Sequence, residues 1–509
     1  MSTKSSRIPL TSSRARTSPL RHESNEHGEW KASLQIKMIL VCLSIVSLVV
    51  AIDATILVPA LPVRKLRHPW INGQGMLMRT QARSYLLTSS ACQPIIASLS
   101  EAFGRRNMLL LSIALFTAGS LIACLAKNFP VLLTGRTIQG IGGGGIITLN
   151  LVIMTDIIPL RQRPKYNGVS QVAWAFGSIT GPLIGGAIVQ YTTWQWLFYI
   201  NFPFCVIGLI SVPFVVKLRA PPFMLEHLLH RIDWFGSALF LGSNTSLLIG
   251  LTWAGHQYSW GSYQTLVPLF AKAPFIRKSL LRSRSLMTAY ICTLIQGLLL
   301  YALMYYLAFC LSSVKAFGPV RTGYFLLPIS CGLMPAIWSG WVVNTFGTGL
   351  LILLDQDSPV VAWVLIFLIL GIGQGLLLSA HNFAVQAIAS TEDVAYATTL
   401  FSFMRGVGLC VGVAIGGAVF QNHLRTALVS ARLPTDIAAD AEAYVHILLA
   451  MPSNSSMRIA VVDAYATGFR FLFEILTGIS GVGLLLSLTI GGHYSLDKEL
   501  DAEHAHALS

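Results

Sequence analysis

Charge is scarce in this chain. Only 11% of its 509 residues are Asp, Glu, Lys or Arg, where a soluble domain carries about 25%. A water-facing surface for a soluble fold of this length is therefore missing. Acids are scarcer than bases: 21 Asp and Glu stand against 35 Lys and Arg, a net charge of +14. In a chain this apolar, such an excess reflects basic loops facing the cytosol rather than a nucleic-acid surface. Cysteine supplies no framework either. The eight thiols (Cys42, Cys92, Cys124, Cys205, Cys292, Cys310, Cys331 and Cys410) all lie within apolar runs. None is paired at metal-ligand spacing, and thiols in lipid are poor disulfide partners, so they read as small hydrophobes. With no metal cluster, nucleotide motif or nucleophile triad, neither an enzyme nor an ATP-driven pump is expected.

What the sequence does have is hydrophobic length. Hydrophobic residues make up 54% of it, gathered in runs of the length a helix needs to cross about 30 Å of hydrocarbon. Reading those runs gives candidate spans at 38–62, 85–103, 108–126, 129–159, 168–190, 197–216, 234–254, 286–313, 323–354, 359–389, 395–420 and 468–492. The chain reads as an all-α polytopic membrane protein with twelve apparent spans and the lipid bilayer as its main partner. The run 323–354 is awkward, since its 32 residues would reach about 48 Å as one helix. Residues 1–37 carry seven Lys/Arg and three Glu among many serines and read as a disordered cytosolic tail. Residues 493–509 form a second cytosolic tail.

A cytosolic N-terminus puts "GRR" (104–106), "RQRPK" (161–165) and "KLR" (217–219) on the cytosolic side, as the positive-inside rule requires. Two basic loops conflict with it. Residues 63–84 carry five Lys/Arg and no acid, yet follow the first span outward. Residues 255–285 carry Lys272, Arg277, Lys278, Arg282 and Arg284, and follow a seventh span that also exits outward.

The polar residues inside spans are the functional candidates. Arg136 opens the stretch "RTIQGIGGGG" (136–145) within an otherwise apolar run, where an arginine costs at least about 2.5–3.5 kcal/mol. It lies roughly 10 Å below the outer end of its span, and Asp53 roughly 13 Å below the same surface in a span of opposite direction. The two unlike charges share nearly one depth and are expected to pair or to compete for a proton, with Gln139 beside them. Positions 136, 140 and 144 form one helical stripe, and Gly177, Gly181 and Gly185 another. Such small-residue stripes let helix backbones approach closely. Pro182 removes a backbone donor and is expected to bend the fifth span. "GIGGGG" also satisfies G-x-G-x-x-G, but a dinucleotide site needs a soluble βαβ unit that is missing around it.

Taken together, "IDATILVPALP" at Asp53, "ASLSEAFGRR" (97–106), "RTIQGIGGGG", "GSITGPLIGG" (177–186) and "WQWLFYINFP" (194–203) resemble the major facilitator superfamily. The closest resemblance is to its fungal drug:proton antiporters with fourteen spans. It runs from about Met38 to Trp260 and resumes patchily from Leu286. It implies a two-bundle transporter: a six-helix bundle over 38–217, a linker over 218–285 holding one span and a degenerate second, and a shortened C-terminal bundle over 286–492. "GSITGPLIGG", with Gly177, Gly181, Pro182, Gly185 and Gly186, matches the family's antiporter motif. Glu101, Gly104, Arg105 and Arg106 match its cytosolic loop motif, which in the family steadies one conformation. Ala97 stands there for Gly and Glu101 for Asp, and Gln195 stands where the family usually has Arg. Asn201, Gln374, His381, Asn382, Gln386 and Arg405 are expected to line a cavity, His381, Asn382 and Gln386 lying close to one helical face. Asn454 begins a sequon in the polar loop 421–466, which the family places outside.

The family has a further span after the seventh and two separate spans where this chain has 323–354. Loss of one span at each place accounts for the charge conflict at 255–285, and points to an internal deletion or an error in the gene model. The expected activity is proton-coupled export of a small lipophilic molecule, such as a secondary metabolite, toxin or drug, by a monomer in the plasma or vacuolar membrane. No cofactor beyond the proton gradient is expected. Two alternatives stay open: a facilitator or importer of a sugar or siderophore on the same fold, and a non-transporting decayed copy.

Overall fold

A computed structural model of the chain describes residues 32–57, 74–217, 283–317, 337–355, 358–390, 393–439, 441–452 and 454–490, with isolated positions 242, 246, 321 and 322. The expected seventh span at 234–254 but for two positions, residues 1–31 of the expected N-terminal tail, residues 491–509 with the expected C-terminal tail, most of the linker and residues 323–336 lie outside them. Residues 34–37, expected in the disordered tail, are instead the first turn of a helix capped by Ser33. Every regular element described is helical. The helices are α1 (Leu34–Ile56), α2 (Gln74–Phe103), α3 (Arg105–Cys124), α4 (Phe129–Ile157), α5 (Arg163–Tyr191), α6 (Asn201–Val215), α7 (Arg284–Ser313), α8 (Ile337–Leu350), α9 (Val360–Ile388), α10 (Val394–Ser430), α11 (Ala441–Ala450) and α12 (Ser456–Ser487). A single turn, Trp196–Tyr199, precedes α6, and a 3₁₀ turn, Leu351–Leu353, extends α8. Eight of the described helical segments are long and apolar enough to cross a bilayer.

Local chemistry sets several starts. The Ser33 hydroxyl accepts from Ile36 N and Ser283 from Leu286 N, while Asn128 caps Val131 N ahead of Pro130. Each satisfies an amide that the first helical turn would otherwise leave open. Gly104 separates α2 from α3 with φ 85°, a left-handed geometry in which a Cβ is strained.

Contacts establish the direction of each helix. In the first half α2 and α4 run together, because Gly140 and Gly144 abut Tyr85 and Ser89. The Asp53–Arg136 and Ser47–Asn150 contacts set α1 against α4. Gly177 and Gly181, seated on Leu48, Ala51 and Thr55, make α5 parallel to α1. Asn201 meets Asp53 and Ser211 meets Cys42, so α6 returns to the side where α1 began. "GRR", "RQRPK" and Lys217 all lie on that side, which is the cytosolic one by the charge rule.

The second half repeats the pattern. Gly408 and Gly412 abut Leu294 and Leu298, so α7 and α10 are parallel, as α1 and α5 are. Gly373 against Asn344 sets α8 and α9 antiparallel, as α3 and α4 are. Between the halves, Ser90 faces Gly406 and Glu101 faces Tyr396. This makes α10 antiparallel to α2, and so places the starts of α7 and α10 on the cytosolic side.

The end of α6 and the start of α7 therefore lie on one side, and Arg284 is on the basic side, where the charge rule wants it. Of the apolar run 323–354, the described part is α8 with its 3₁₀ extension to Leu353. Cys292 and Phe309 set α12 antiparallel to α7, while Trp341 and Asn344 set it antiparallel to α8. The described helices α7 and α8 are therefore parallel.

Boundaries also move. α2 begins at Gln74, inside the segment expected as a loop to residue 84. The loop expected at 421–466 is mostly helical, because α10 continues to Ser430 and α11 and the start of α12 fill much of the rest.

The five glycines of "GIGGGG" fit α4 between two neighbours. A Cβ on Gly140 or Gly144 would lie 2.6 Å from Tyr85 O or 2.2 Å from Ser89 O of α2, and one on Gly142 would lie 2.4 Å from Phe116 N of α3. Backbone cannot give way as a flexible side chain can. Gly144→Ala or Gly412→Ala is expected to destabilise the purified protein by about 1–3 kcal/mol, whereas Gly478→Ala, with nothing within 4 Å, is expected to be neutral or stabilising. Thermal unfolding of the three variants in one detergent tests this, and equal midpoints would refute it. Cysteines introduced one at a time as Lys217→Cys and Ser283→Cys are expected to react with an impermeant maleimide from the same face of the membrane. Labelling from opposite faces would overturn the directions of α6 and α7.

Candidate functional site

Asp53 and Arg136 meet in the first bundle. Arg136 Nη1 donates to Asp53 Oδ2 at 2.9 Å and to Oδ1 at 3.1 Å, and each residue is only 1% exposed. The close approach of α4 to α2 and α3 brings neutral partners around the pair. Gln139 Nε2 donates to Asp53 Oδ1 at 2.8 Å and to Ser120 Oγ at 2.9 Å, while its Oε1 accepts from Arg136 Nη1 at 2.6 Å. Asn201 Nδ2, at the first turn of α6, donates to Asp53 Oδ1 at 3.0 Å. The guanidinium lies 4.6 Å from the Tyr85 ring centre and 5.6 Å from that of Phe198. One carboxylate oxygen thus accepts three donors, which offsets part of the heavy desolvation of a buried charge. Arg136 Nε and Asn201 Oδ1 remain buried without a hydrogen bond.

In front of this cluster a cavity lies between the halves, lined by α1, α2, α4 and α5 on one side and α7, α9 and α10 on the other. Tyr85 and Thr55 form part of its wall, so Asp53 stands one layer of side chains behind it. Thr55 Oγ1 bonds back to Ala51 O at 2.9 Å and sits where a Cβ on Gly181 would fall. Gly185 meets Ile56 O, and buried Gly186 follows it. α5 continues through Pro182 as one helix. The Gly-Pro motif therefore seats α5 against the helix that carries Asp53.

Of the residues expected to line a cavity, Gln374 and Arg405 do so. The other four do not line this one. Asn201 belongs to the Asp53 cluster, on the far side of the wall. His381 lies about two turns further along α9 than Gln374, toward the cytosol, where Trp341 Nε1 donates to its Nε2 at 3.4 Å. Gln386 donates to Asn382 Oδ1 at 3.0 Å and accepts from Arg163 Nη1 at 3.0 Å. That last bond joins the two halves at the cytosolic end.

A second contact between halves lies at the same end, where Tyr396 Oη donates to Glu101 Oε2. Arg105 holds the loop motif together, with Nε 3.2 Å from Asp156 Oδ2, Nη1 2.6 Å from Ser100 Oγ and Nη2 3.6 Å from Glu101 Oε1. Arg106 Nε is buried without a hydrogen bond. Asn454 is exposed in the short link between α11 and α12, at the outer end.

Sequence reasoning passed over several participants. Tyr85 looked like the first residue of an apolar run, Arg163 like one member of a basic loop, and Tyr396 like a span start. A neutral chain, Gln296 Nε2 to Gln374 Oε1 at 3.0 Å, Gln374 Nε2 to Asn344 Oδ1 at 2.8 Å and Asn344 Nδ2 to Ser480 Oγ at 2.9 Å, ties α7, α9, α8 and α12 together. Gln139 and Gln374 occupy comparable places in the two halves, each bonding to the preceding antiparallel helix.

Comparison with known proteins agrees with this architecture. Residues 43–412 match the family model described as Major Facilitator Superfamily. The chain is 38% identical over 498 residues to "MFS transporter L2" of Phoma sp., covering 91% of this chain and 82% of that one. It is 30% identical to "Efflux pump FUS6" of Gibberella fujikuroi, covering 93% and 92%. Among solved structures, a bacterial homologue of the human lysosomal transporter Spinster, inward-facing and occupied, superposes with a TM-score of 0.59 at 14% identity, covering 90% of this chain and 97% of that one. With its helices, its paired halves and its central cavity in place, this multi-pass membrane protein belongs to the major facilitator superfamily.

Proposed function

We propose that the chain exports a small, largely lipophilic molecule in exchange for protons, by alternating access of the central cavity to the two sides of the membrane. The observation that carries this reading is the buried Asp53–Arg136 pair directly behind the cavity wall. A proton arriving at Asp53 would cancel its charge, loosen its three donors and free Arg136 to seek a new partner. The helices holding those donors, α4 and α6, and the wall residue Tyr85 would feel that change. A ligand shifts a two-state equilibrium only through unequal affinity for the states, and a wall shared between ligand and ion pair offers a route to such inequality. Outward direction is supported by a relative named as an efflux pump. The cavity's lining of Trp, Tyr, Leu, Ile and Met side chains suits a lipophilic body. The proton gradient is the driving force, the working unit is a monomer and the plasma membrane is its place.

The bonds Arg163–Gln386 and Glu101–Tyr396 join the two halves at the cytosolic end. In this reading they are broken each time the cavity opens inward, which gives the loop motif its place in the cycle. Gln386→Ala is expected to shift the population toward the inward-open state, read as faster maleimide labelling of a Ser402→Cys reporter from the cytosolic face. Unchanged or slower labelling would remove this latch.

Full-length protein reconstituted in liposomes tests the activity itself. An imposed pH gradient is expected to drive at least one neutral or charged dansyl probe against its own gradient, and a protonophore to abolish that accumulation. Probe movement that only equilibrates, at one rate with and without the gradient, would instead favour the facilitator. The ion pair also makes a stability prediction. Asp53→Asn and Arg136→Gln each leave one buried group uncompensated and are expected to cost about 3–5 kcal/mol, while the double variant is expected to recover most of that loss. Additive losses in thermal unfolding would show that the two side chains do not act as a pair.

A further inference from the structure

The cavity holds one charged side chain among the described residues that line it, Arg405 of α10, and no acid. Arg405 is half-buried, unlike the fully buried Arg136. Arg136 has a carboxylate, a glutamine and two aromatic rings around it. No hydrogen bond or ion pair reaches Arg405 from the described residues, and its Nε is buried without a partner. Its guanidinium carbon lies 5.9 Å from the Trp174 ring centre, on a helix of the opposite half. An arginine inside a membrane protein is costly to keep unpaired, and one that faces a cavity between moving halves has its remaining donors turned to whatever fills that cavity.

We propose that the cavity is built for an organic anion, a small amphipathic carboxylate or similarly acidic molecule, and that Arg405 receives its charged group. This rests on the transport reading given above and names the class of molecule carried. The guanidinium presents parallel N–H donors that match a carboxylate fork. Neutral donors stand near it for the remaining oxygens: Ser402 lies one turn away on the same helix, and Gln296 and Gln374 line the adjoining wall. Trp174 faces Arg405 from the opposite half, so an anion at Arg405 with an apolar body against Trp174 would touch both bundles at once. Such a ligand senses the closure of the halves directly. Tyr301 lines the cavity within electrostatic reach of Arg405, Asp53 and Arg136.

The test uses purified full-length protein in lipid nanodiscs and a matched pair of fluorescent probes, dansylglycine and its uncharged amide. The wild type is expected to bind the acid at least about tenfold more tightly than the amide, the usual worth of a charge-assisted hydrogen bond. Arg405→Gln is expected to abolish that preference while leaving amide affinity within about twofold, which also shows that the cavity is intact. Arg405→Lys keeps the charge and is expected to retain part of the preference. Equal binding of acid and amide by the wild type, no binding of the acid, or an undiminished preference in Arg405→Gln would overturn the proposal. If Arg405→Gln does not fold, the wild-type comparison and Arg405→Lys still decide it. Failure of the transport reading looks different: acid preference would persist in nanodiscs while no pH gradient drove either probe in liposomes.

Discussion

A carboxylate and a guanidinium held 2.9 Å apart in the middle of an apolar bundle constrain everything around them. Two buried charges are tolerated only when each faces the other and the remaining donors and acceptors are largely met. Asp53 meets that condition through Arg136 and Gln139 of α4 and Asn201 of α6. The first bundle therefore has one arrangement of α1, α4 and α6 that satisfies the pair. The glycines of α4 seat it closely on α2 and α3, and those of α5 seat it on α1, so the helices around the pair pack backbone to backbone.

The two halves share their helix directions but differ in polarity at the centre. Where the first half holds an ion pair, the second holds the neutral chain from Gln296 through Gln374 and Asn344 to Ser480. A neutral network changes little when a proton arrives, whereas an ion pair loses its main attraction. In the proposed mechanism coupling belongs to the first half, while the second half contributes the cavity's own cation among the described residues, Arg405. Division of labour between related halves suits a device in which one bundle rocks against the other.

Much of the first bundle was legible in the residues alone. Counting 1.5 Å per residue inward from the span ends put Asp53 and Arg136 at one depth, and the four-residue spacing of glycines identified the faces that pack closely. These signals are local, so one helix at a time reveals them. Helix direction in the second half was not legible, since run lengths cannot separate one crossing from two when apolar segments merge. His381, Asn382 and Gln386 illustrate the same limit. Their shared face on α9 was visible, but a face points to a cavity, a neighbouring helix or the opposite bundle alike. Depth decided it, and Gln386 reaches Arg163 across the interface instead. Tyr85 and Trp174 escaped notice because aromatic side chains in apolar runs carry no polar signal of their own.

The central claim is that protonation behind the cavity wall drives transport through Asp53. The most direct measurement compares wild type and Asp53→Asn in the same liposomes, reading two things for one dansyl probe: uphill accumulation under a pH gradient, and exchange of internal for external probe with no gradient. The account predicts that Asp53→Asn loses accumulation and its accompanying proton flux while still exchanging probe, because the cavity and its rocking halves persist without the titrating group. Accumulation by Asp53→Asn at the wild-type rate, with the same number of protons moved per probe, would contradict it.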